Sequence, residues 1–334
     1  MSQVRNAESD ARVALSRMFS PVADDLALVD RRLERELRHP NPFIDQLAQH
    51  SFRIGGKRLR PALLLLAAKA VGNISDEHRT LAAVVEMIHT ATLVHDDVLD
   101  EADIRRQLDT VNARWNNQTS VLLGDYLFTH AFHLASTLET TFGCRTIGEA
   151  TNTVCEGELL QTAAIGNFWL AREEYLAIIG AKTAELCACC ARLGAHYAGG
   201  DDATVERLTA FGRKIGLAFQ IVDDLLDLEG DEETTGKSLG TDLAHRKMTL
   251  PLIYLRNQVG DADQTRLQSL YEEPDLGHNG MLLDWLEESG AMRQARRAAE
   301  EFADQAAKEL ASLGDSDAKR SLVELARFVV VRNA

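Results

Sequence analysis

The stretch that decides how this chain folds and what it can bind is residues 94–106, which read Val94-His95-Asp96-Asp97-Val98-Leu99-Asp100-Glu101-Ala102-Asp103-Ile104-Arg105-Arg106. It ends a mostly apolar run, Leu81 to Val94, within a predicted helix from Asp76 to about Asp103. At about 3.6 residues per turn, Asp96 and Asp100 lie on one helix face, and Asp97 projects roughly 100° away. Stacked like charges destabilise a helix, so we expect a cation beside them. Because every candidate ligand atom is an oxygen, the expected cation is Mg²⁺.

The acidic pattern recurs at residues 223–227, which read Asp223-Asp224-Leu225-Leu226-Asp227. With Gln220, these aspartates follow helical spacing and share one stripe, while the flanking residues are apolar. Carboxylates in such surroundings are costly unless a metal or hydrogen bonds satisfy them. One such motif is weak evidence, because acidic helix faces are usually solvated. Two copies favour a metal site with the candidate ligands Asp96, Asp97, Asp100, Asp223, Asp224 and Asp227.

The composition predicts an all-α protein that does not bind nucleic acid. The chain has 334 residues, of which 45% are hydrophobic, with only 6 prolines and a net charge of −15. No apolar run reaches the ~18 residues of a transmembrane helix. The 5 cysteines lack a framework spacing, so we expect a reduced, cytoplasmic setting. Cys187, Cys189 and Cys190 could form a thiolate cluster, but their small-residue helical run favours packing over zinc binding.

The sequence contains no linker rich in Pro, Gly or Ser, so we predict one domain over residues 21–334 after a flexible N-terminus at residues 1–20. The predicted architecture is a large helical bundle with a central cavity, in which the two aspartate motifs face each other. Residues 229–247 break the helical pattern and combine glycines with cations, including Lys237 and Lys247. This composition indicates either a mobile lid or an ordinary surface loop.

Basic side chains gather at two further places. Lys57 and Arg60 lie near the start of a predicted helix, where backbone N–H groups favour an anion, and a solvated basic turn is the alternative. Arg105 and Arg106 follow the first acidic motif, and guanidinium groups suit bidentate contacts to phosphate. His89 lies two turns before that motif and is either part of the same site or a satisfied core histidine.

Five segments, in this order and spacing, resemble the trans-prenyl diphosphate synthases: Gly55-Gly56-Lys57-Arg58-Leu59-Arg60-Pro61, Asp96-Asp97-Val98-Leu99-Asp100 with Arg105-Arg106, Lys182-Thr183, Phe219-Gln220-Ile221-Val222-Asp223-Asp224-Leu225-Leu226-Asp227, and Gly236-Lys237. The resemblance is collinear from about residue 20 to the C-terminus. It is closest to the long-chain branch, such as octaprenyl diphosphate synthases. It implies an isoprenoid synthase fold, a homodimer, and Mg²⁺-dependent condensation of an allylic prenyl diphosphate with isopentenyl diphosphate.

The resemblance also assigns roles to individual positions. Asp96, Asp100 and Asp223 would hold Mg²⁺, about three ions in each active site, with Asp97, Asp224 and Asp227 in support. The residues expected to hold or activate the allylic diphosphate are Arg105, Lys182, Thr183, Gln220, Lys237 and Lys247. Those expected to bind isopentenyl diphosphate are Gly56, Lys57, Arg60, His89 and Arg106. The chain departs from the family pattern at Gln107, where glycine is common, and at Arg246-Lys247-Met248.

The residues before the first motif predict the length of the product. In short-chain members of the family an aromatic side chain closes the pocket near the positions of Ala91 and Thr92, and both are small here. The growing tail can therefore pass at least to Ile88 and Met87. Each five-carbon unit spans roughly one helical turn, so we predict about thirty to forty-five carbons, with forty as the best single value. The alternatives are a shorter-chain synthase, a non-catalytic subunit of a heteromeric synthase, and an isoprenoid cyclase.

Overall fold

The computed structural model describes residues 13–53, 56–229, 240–272 and 276–331, and most of them are helical. The helices are α1 (residues 13–19), α2 (Ala23–Glu36), α3 (Pro42–Arg53), α4 (Leu59–Val71), α5 (Asp76–Leu99), α6 (Val111–Arg114), α7 (Asn117–Ser136), α8 (Phe142–Ala164), α9 (Arg172–Ile179), α10 (Glu185–Tyr197), α11 (Asp202–Glu229), α12 (Thr241–Ala244), α13 (Leu250–Gln258), α14 (Asp261–Glu272), α15 (Leu276–Ser289), α16 (Ala291–Glu309) and α17 (Asp317–Val331). The predicted all-α fold class is confirmed. None of the described helices is both long and apolar enough to cross a membrane.

Helix α4 lies at the centre of the bundle because it is apolar on all sides. Every residue from Pro61 to Ala68 is buried, and the helix contacts α5, α10 and α17. Helix α10 packs in turn against α8 and α11. Its Cys187, Cys189 and Cys190 are buried in the core, as the packing interpretation predicts. Burial raises the pKa of Cys189 to about 12, so this thiol stays protonated.

Helix α5 carries the first acidic motif at its C-terminal end. At its start, Nδ1 of His78 accepts a hydrogen bond from the backbone N–H of Ser75 at 2.9 Å, and Nε2 donates to the carbonyl of Gly194 at 3.2 Å. Burial lowers the pKa of His78, which matches this neutral arrangement. The helix ends at Leu99, before the predicted Asp103, because Glu101 adopts a left-handed conformation with φ of 50°.

A short antiparallel ribbon follows α5 and returns the chain to it. Strand β1 (Ile104–Arg105) pairs with β2 (Leu108–Asp109), and the two turn residues, Arg106 and Gln107, have φ of 51° and 64°. Positive φ at both positions is typical of a tight hairpin turn and favours glycine. Gln107 therefore adopts a conformation that costs a non-glycine residue about 1 kcal/mol.

The boundary predicted at residue 20 differs from the structure. Residues 13–19 form α1, and Leu15, Met18 and Phe19 are buried in the core. These three apolar side chains follow helical spacing, which explains why the segment is anchored rather than flexible. Residues 1–12 lie outside the described part of the chain. Two apolar clusters form the core, and Phe302 and Val330 pack against both, which supports the proposal of a single domain, with α1 as a part of it.

Candidate active site

The first acidic motif divides its carboxylates between the protein interior and the site. Asp97 is only 2% exposed and accepts a hydrogen bond from Nε of Arg105 at 2.6 Å, because the ribbon brings Arg105 back over α5. Asp96 and Asp100 are half-buried on the other face of the helix. Burial raises the pKa of Asp96, and the Asp100 carboxylate adds to this shift, while Lys182 opposes it. Asp96 and Asp100 are thus two stacked carboxylates with cations nearby.

The second acidic motif, on α11, is tied to its surroundings by short hydrogen bonds. The buried Asp224 accepts from the hydroxyl of Tyr175 at 2.6 Å and from Nε2 of Gln220 at 2.8 Å. Oε1 of Gln220 accepts in turn from the hydroxyl of Thr183 at 2.7 Å. Burial and the nearby Asp242 carboxylate raise the pKa of Asp224 to about 8. This chain of bonds connects α9, α11 and the turn that carries Thr183.

Asp227 anchors the residues that follow the second motif. Its Oδ1 accepts from the hydroxyl of Thr241 at 2.5 Å, and its Oδ2 accepts from the backbone N–H of Asp242 at 3.0 Å. Nζ of Lys247 then lies 3.4 Å from Oδ1 of Asp242 and 3.4 Å from Oδ1 of Asp100. One ammonium group therefore bridges the end of α5 and the segment held by α11, which agrees with the prediction that the two acidic motifs face each other.

Lys182 and Thr183 lie on a π-helical turn, Gly180–Ala184, between α9 and α10. Neighbouring helices approach the backbone of this turn very closely. A β-carbon on Gly157 would lie 2.5 Å from the backbone nitrogen of Lys182, and one on Gly216 would lie 2.4 Å from Cα of Ala184. The turn is thus held between α8 and α11, and π-helical turns occur frequently at functional sites. Nζ of Lys182 contacts Oε2 of Glu158 on α8 at 2.9 Å.

The predicted isopentenyl diphosphate residues also come together. The guanidinium of Arg106 lies over Gly56, where a β-carbon would be 3.1 Å from Nη1. Burial lowers the pKa of His89 well below its usual value, and Arg60 and Arg106 add to this effect, so the imidazole is neutral among cations. Nε of Arg60 is a buried donor that finds no hydrogen-bond partner within the described part of the chain. A buried, unpaired guanidinium donor fits an anion.

Lys57 is exposed on the segment before α4, next to Gly56. Gly55, Gly236 and Lys237 lie outside the described residues, as does most of the predicted lid. Sequence reasoning missed the roles of Tyr175, Glu158 and Asp242 as partners of site residues. A signal existed for Tyr175, which lies two helical turns before Lys182 and so near the same helix face.

The carboxylates of the two acidic motifs are the candidate ligands of a metal ion. Across the described ranges, no three His, Cys, Asp or Glu side chains converge closely enough to form a ready-made metal site. Carboxylates that repel one another stay apart in this way until a cation lies between them. Asp96, Asp100 and Asp223 provide only oxygen ligands, which is the set that Mg²⁺ prefers. The donor atoms of these residues therefore fit Mg²⁺.

The predicted tail-lining residues lie upstream on α5. Met87, Ile88 and Ala91 are fully buried. Thr92 is half-buried, and its hydroxyl donates to the carbonyl of His89 at 2.8 Å. Met87, Ile88 and Ala91 are thus apolar side chains on α5, and residues 87–92 include no Phe, Tyr or Trp.

Comparison with known proteins agrees with this geometry. The sequence model of the polyprenyl synthetase family matches residues 41–282. The octaprenyl diphosphate synthase of Escherichia coli (strain K12) is 36% identical over 321 residues, which cover 96% of this chain and 99% of that protein. An all-trans-nonaprenyl-diphosphate synthase (geranyl-diphosphate specific) of Rhodobacter capsulatus is 36% identical over 316 residues, covering 94% of this chain and 97% of that protein.

Solved structures give the same result. The crystal structure of a polyprenyl synthase from Caulobacter crescentus CB15, complexed with calcium and isoprenyl diphosphate, superposes with a TM-score of 0.91 at 36% identity, covering 96% of this chain and 98% of that one. The chain therefore belongs to the polyprenyl synthetase family. Within that family it is a trans-prenyl diphosphate synthase of the long-chain type, a prenyltransferase.

Proposed function

We propose that the protein is a Mg²⁺-dependent octaprenyl diphosphate synthase. It condenses an allylic prenyl diphosphate with successive molecules of isopentenyl diphosphate and releases inorganic diphosphate at each step. The observation that carries this proposal is the bridge formed by Lys247 between Asp100 and Asp242, because the backbone N–H of Asp242 is in turn bound by Asp227 of the second motif. The separate group of Arg60, Arg106 and His89 supplies a second anion site for the second substrate.

Asp96, Asp100 and Asp223 are the proposed ligands of about three Mg²⁺ ions, which when bound act as Lewis acids on the allylic diphosphate. The internal hydrogen bonds of Asp224 and Asp227 favour supporting roles for these two residues. Asp97 also has a supporting role, because its carboxylate accepts a hydrogen bond from Arg105 and orients that side chain.

The cations of the chain then stabilise the departing diphosphate. When the allylic C–O bond breaks, negative charge builds on the leaving oxygen, and Lys182, Lys247 and Arg105 are placed to lower that barrier. Lys237 has the same proposed role but lies outside the described residues. The Thr183–Gln220 hydrogen bond keeps the π-helical turn, and hence Lys182, in register with α11.

The second substrate completes the reaction. Arg60, Arg106 and Lys57, with Gly56 and the neutral His89, hold isopentenyl diphosphate through its phosphates. Its double bond attacks the allylic cation, and the new cation loses a proton to the departing diphosphate. Met87, Ile88 and Ala91 are apolar and fully buried, and the proposed path of the growing tail runs beside them, away from water.

Product analysis tests the proposal. The purified protein is incubated with farnesyl diphosphate, isopentenyl diphosphate and Mg²⁺, and the dephosphorylated products are separated by chromatography. We expect a main product of about forty carbons, corresponding to a tail several helical turns long. No elongation would favour the non-catalytic subunit, a cyclic hydrocarbon formed without isopentenyl diphosphate would favour a cyclase, and a product of about twenty carbons would favour a shorter-chain synthase.

Replacing Ala91 with Phe tests the placement of the tail. The phenyl ring would project into the proposed path of the tail, one turn and a half before Asp96, so the product should shorten to about fifteen or twenty carbons while condensation continues. Circular dichroism establishes that the variant is folded, because Ala91 is fully buried and an added ring can disturb packing. An unchanged product distribution in the folded variant would exclude this path for the tail.

We also propose a homodimer. Val121 and Leu122 on α7 are 43% and 60% exposed, and Leu159 and Leu160 on α8 are 71% and 52% exposed. Both pairs lie at the ends of their helices near the first acidic motif, since His95 contacts the carbonyl of Val121 and Glu158 precedes Leu159. A second copy would cover these side chains.

Sedimentation tests the homodimer. Wild type should sediment as a dimer at micromolar concentration, and Leu159→Lys should shift it towards monomer. Val13→Lys, at a residue that is 65% exposed on α1, is the matched control and should remain dimeric. A monomeric wild type, or a fully dimeric Leu159→Lys variant, would contradict this interface.

A further inference from the structure

The ammonium group of Lys182 is bound to a carboxylate of the protein itself. Its Nζ lies 2.9 Å from Oε2 of Glu158, and the two side chains are 21% and 23% exposed. The pair is fixed at both ends. Gly157 presses α8 against the backbone nitrogen of Lys182, and the π-helical turn that carries Lys182 is bonded to α11 through Thr183. The contact is therefore built into the packing of three elements, in contrast to pairs formed by long exposed side chains.

Glu158 also lies close to the first acidic motif. Burial raises the pKa of Glu158, and the charges of Asp96 and Asp100 add to this, while Lys182 opposes it. A third carboxylate beside two others is unfavourable unless a cation accompanies it. Lys182 provides that cation, and its charge also lowers the pKa of Asp96. The Lys182 ammonium thus contacts Glu158 and also acts on Asp96, and of these two carboxylates only Glu158 lies outside the aspartate motifs.

We propose that Glu158 is an internal competitor for Lys182, which releases the ammonium group to a bound diphosphate and takes it back when inorganic diphosphate leaves. This inference rests on the proposed function of Lys182. A diphosphate that contacts Lys182 must break or share the bond to Glu158, so the carboxylate weakens diphosphate binding. The same bond re-forms when the product leaves, and this favours release. A long-chain synthase repeats this release after every condensation, so such a competitor supports turnover.

Binding of inorganic diphosphate distinguishes a competitor from a residue that merely positions Lys182. Isothermal titration calorimetry is carried out at saturating Mg²⁺ with wild type and Glu158→Gln, so that changes in metal affinity do not enter. Removing a competitor should tighten binding, by about threefold to fivefold for an ion pair that keeps partial solvent contact. Removing a positioning residue should weaken it. In steady state, Glu158→Gln should lower the KM for the allylic diphosphate and lower kcat, because product leaves more slowly.

Glu156→Gln is the matched control on the same helix. Glu156 is exposed and accepts a hydrogen bond from Nδ2 of Asn152 at 2.6 Å, away from Lys182. The Glu156→Gln variant loses the same negative charge as Glu158→Gln. Because that charge is exposed and screened by salt, the variant should keep a diphosphate affinity within about 1.5-fold of wild type. An equal gain in both variants would show a general effect of net charge and would overturn the inference.

A double-mutant cycle assigns the effect to the pair. In a Lys182→Gln background, Glu158→Gln should no longer tighten diphosphate binding, because the group for which it competes is absent. A gain that persists in this background, weaker binding in Glu158→Gln, or no change at all would each overturn the inference. Failure of the proposed function has a different signature, because wild type would then bind no inorganic diphosphate in the presence of Mg²⁺.

Discussion

Replacing Gly157 with alanine tests how the π-helical turn holds its catalytic residues. The added methyl group would lie 2.5 Å from the backbone nitrogen of Lys182 and 2.9 Å from Cβ of Ala181. Neither contact can be relieved by rotating a side chain, because one atom belongs to the backbone and the other is attached directly to it. Helix α8 and the turn must therefore move apart, and Lys182 and Thr183 must move with the turn.

The size of the effect follows from two opposing terms. Overpacking a well-packed contact typically costs 1–3 kcal/mol, and contact with backbone atoms places this site at about 3 kcal/mol. Alanine recovers about 1 kcal/mol over glycine within a helix. We therefore expect the free energy of unfolding to fall by about 2 kcal/mol. A shift of about 1 Å at Lys182 should lower kcat by about 10²-fold.

Gly148→Ala is the matched control because Gly148 lies on the same helix. A β-carbon there would meet only Cε1 of Phe132, at 3.9 Å, which is ordinary van der Waals contact. Urea unfolding should show a gain of up to about 1 kcal/mol for this variant, and the initial rate of the first condensation should equal that of wild type. The reasoning would be refuted if Gly157→Ala kept both wild-type stability and wild-type kcat.

Four further substitutions have defined outcomes. Tyr175→Phe removes the donor to the buried Asp224, so urea unfolding should show a loss of about 2 kcal/mol; unchanged stability would contradict this bond. Asp96→Ala and Asp223→Ala should each lower kcat by ~10²-fold or more with the fold intact, and near-normal activity would remove that residue from the metal site. The pKa of His78 is lowered on folding, so its contribution to stability is complete above about pH 6.5 and falls by up to about 1.4 kcal/mol per unit below it. The thermal stability of His78→Gln should therefore depend less steeply on pH between about 6.5 and 5 than that of wild type, and parallel profiles would exclude this effect.

The sequence was sufficient to predict most of the helices and the helix faces that carry the acidic motifs. The helical repeat places Asp96 and Asp100 on one face of α5. The same repeat places the aspartates of the second motif on one face of α11. The bridge from Lys247 to Asp100 agrees with that placement. These features are local, since each depends on the helical repeat within one segment and on the cost of unpaired carboxylates in apolar surroundings.

The features that could not be predicted depend on residues far apart in the chain. The partners of Asp224 and Lys182 are Tyr175 and Glu158, and no periodicity within one helix indicates which helix lies opposite. Gly157 lies against the backbone of the π-helical turn, and this contact becomes visible only once the helices are packed. The anchoring of residues 13–19 was missed because their apolar stripe is short. Its contribution to stability comes from burial against core residues that lie far away in the sequence.

Ion pairs within the protein neutralise part of the charge of the site before any substrate enters. Lys247 lies between Asp100 and Asp242, Lys182 contacts Glu158, and Arg105 contacts Asp97 on the same helix end. Two acidic motifs could not face each other at low cost without such cations, since stacked carboxylates repel. Under the proposed function, a diphosphate with its Mg²⁺ ions exchanges one set of ion pairs for another instead of filling a strongly charged cavity. Exchange of this kind limits how tightly the product can be held, and an enzyme that must release diphosphate after every condensation requires that limit.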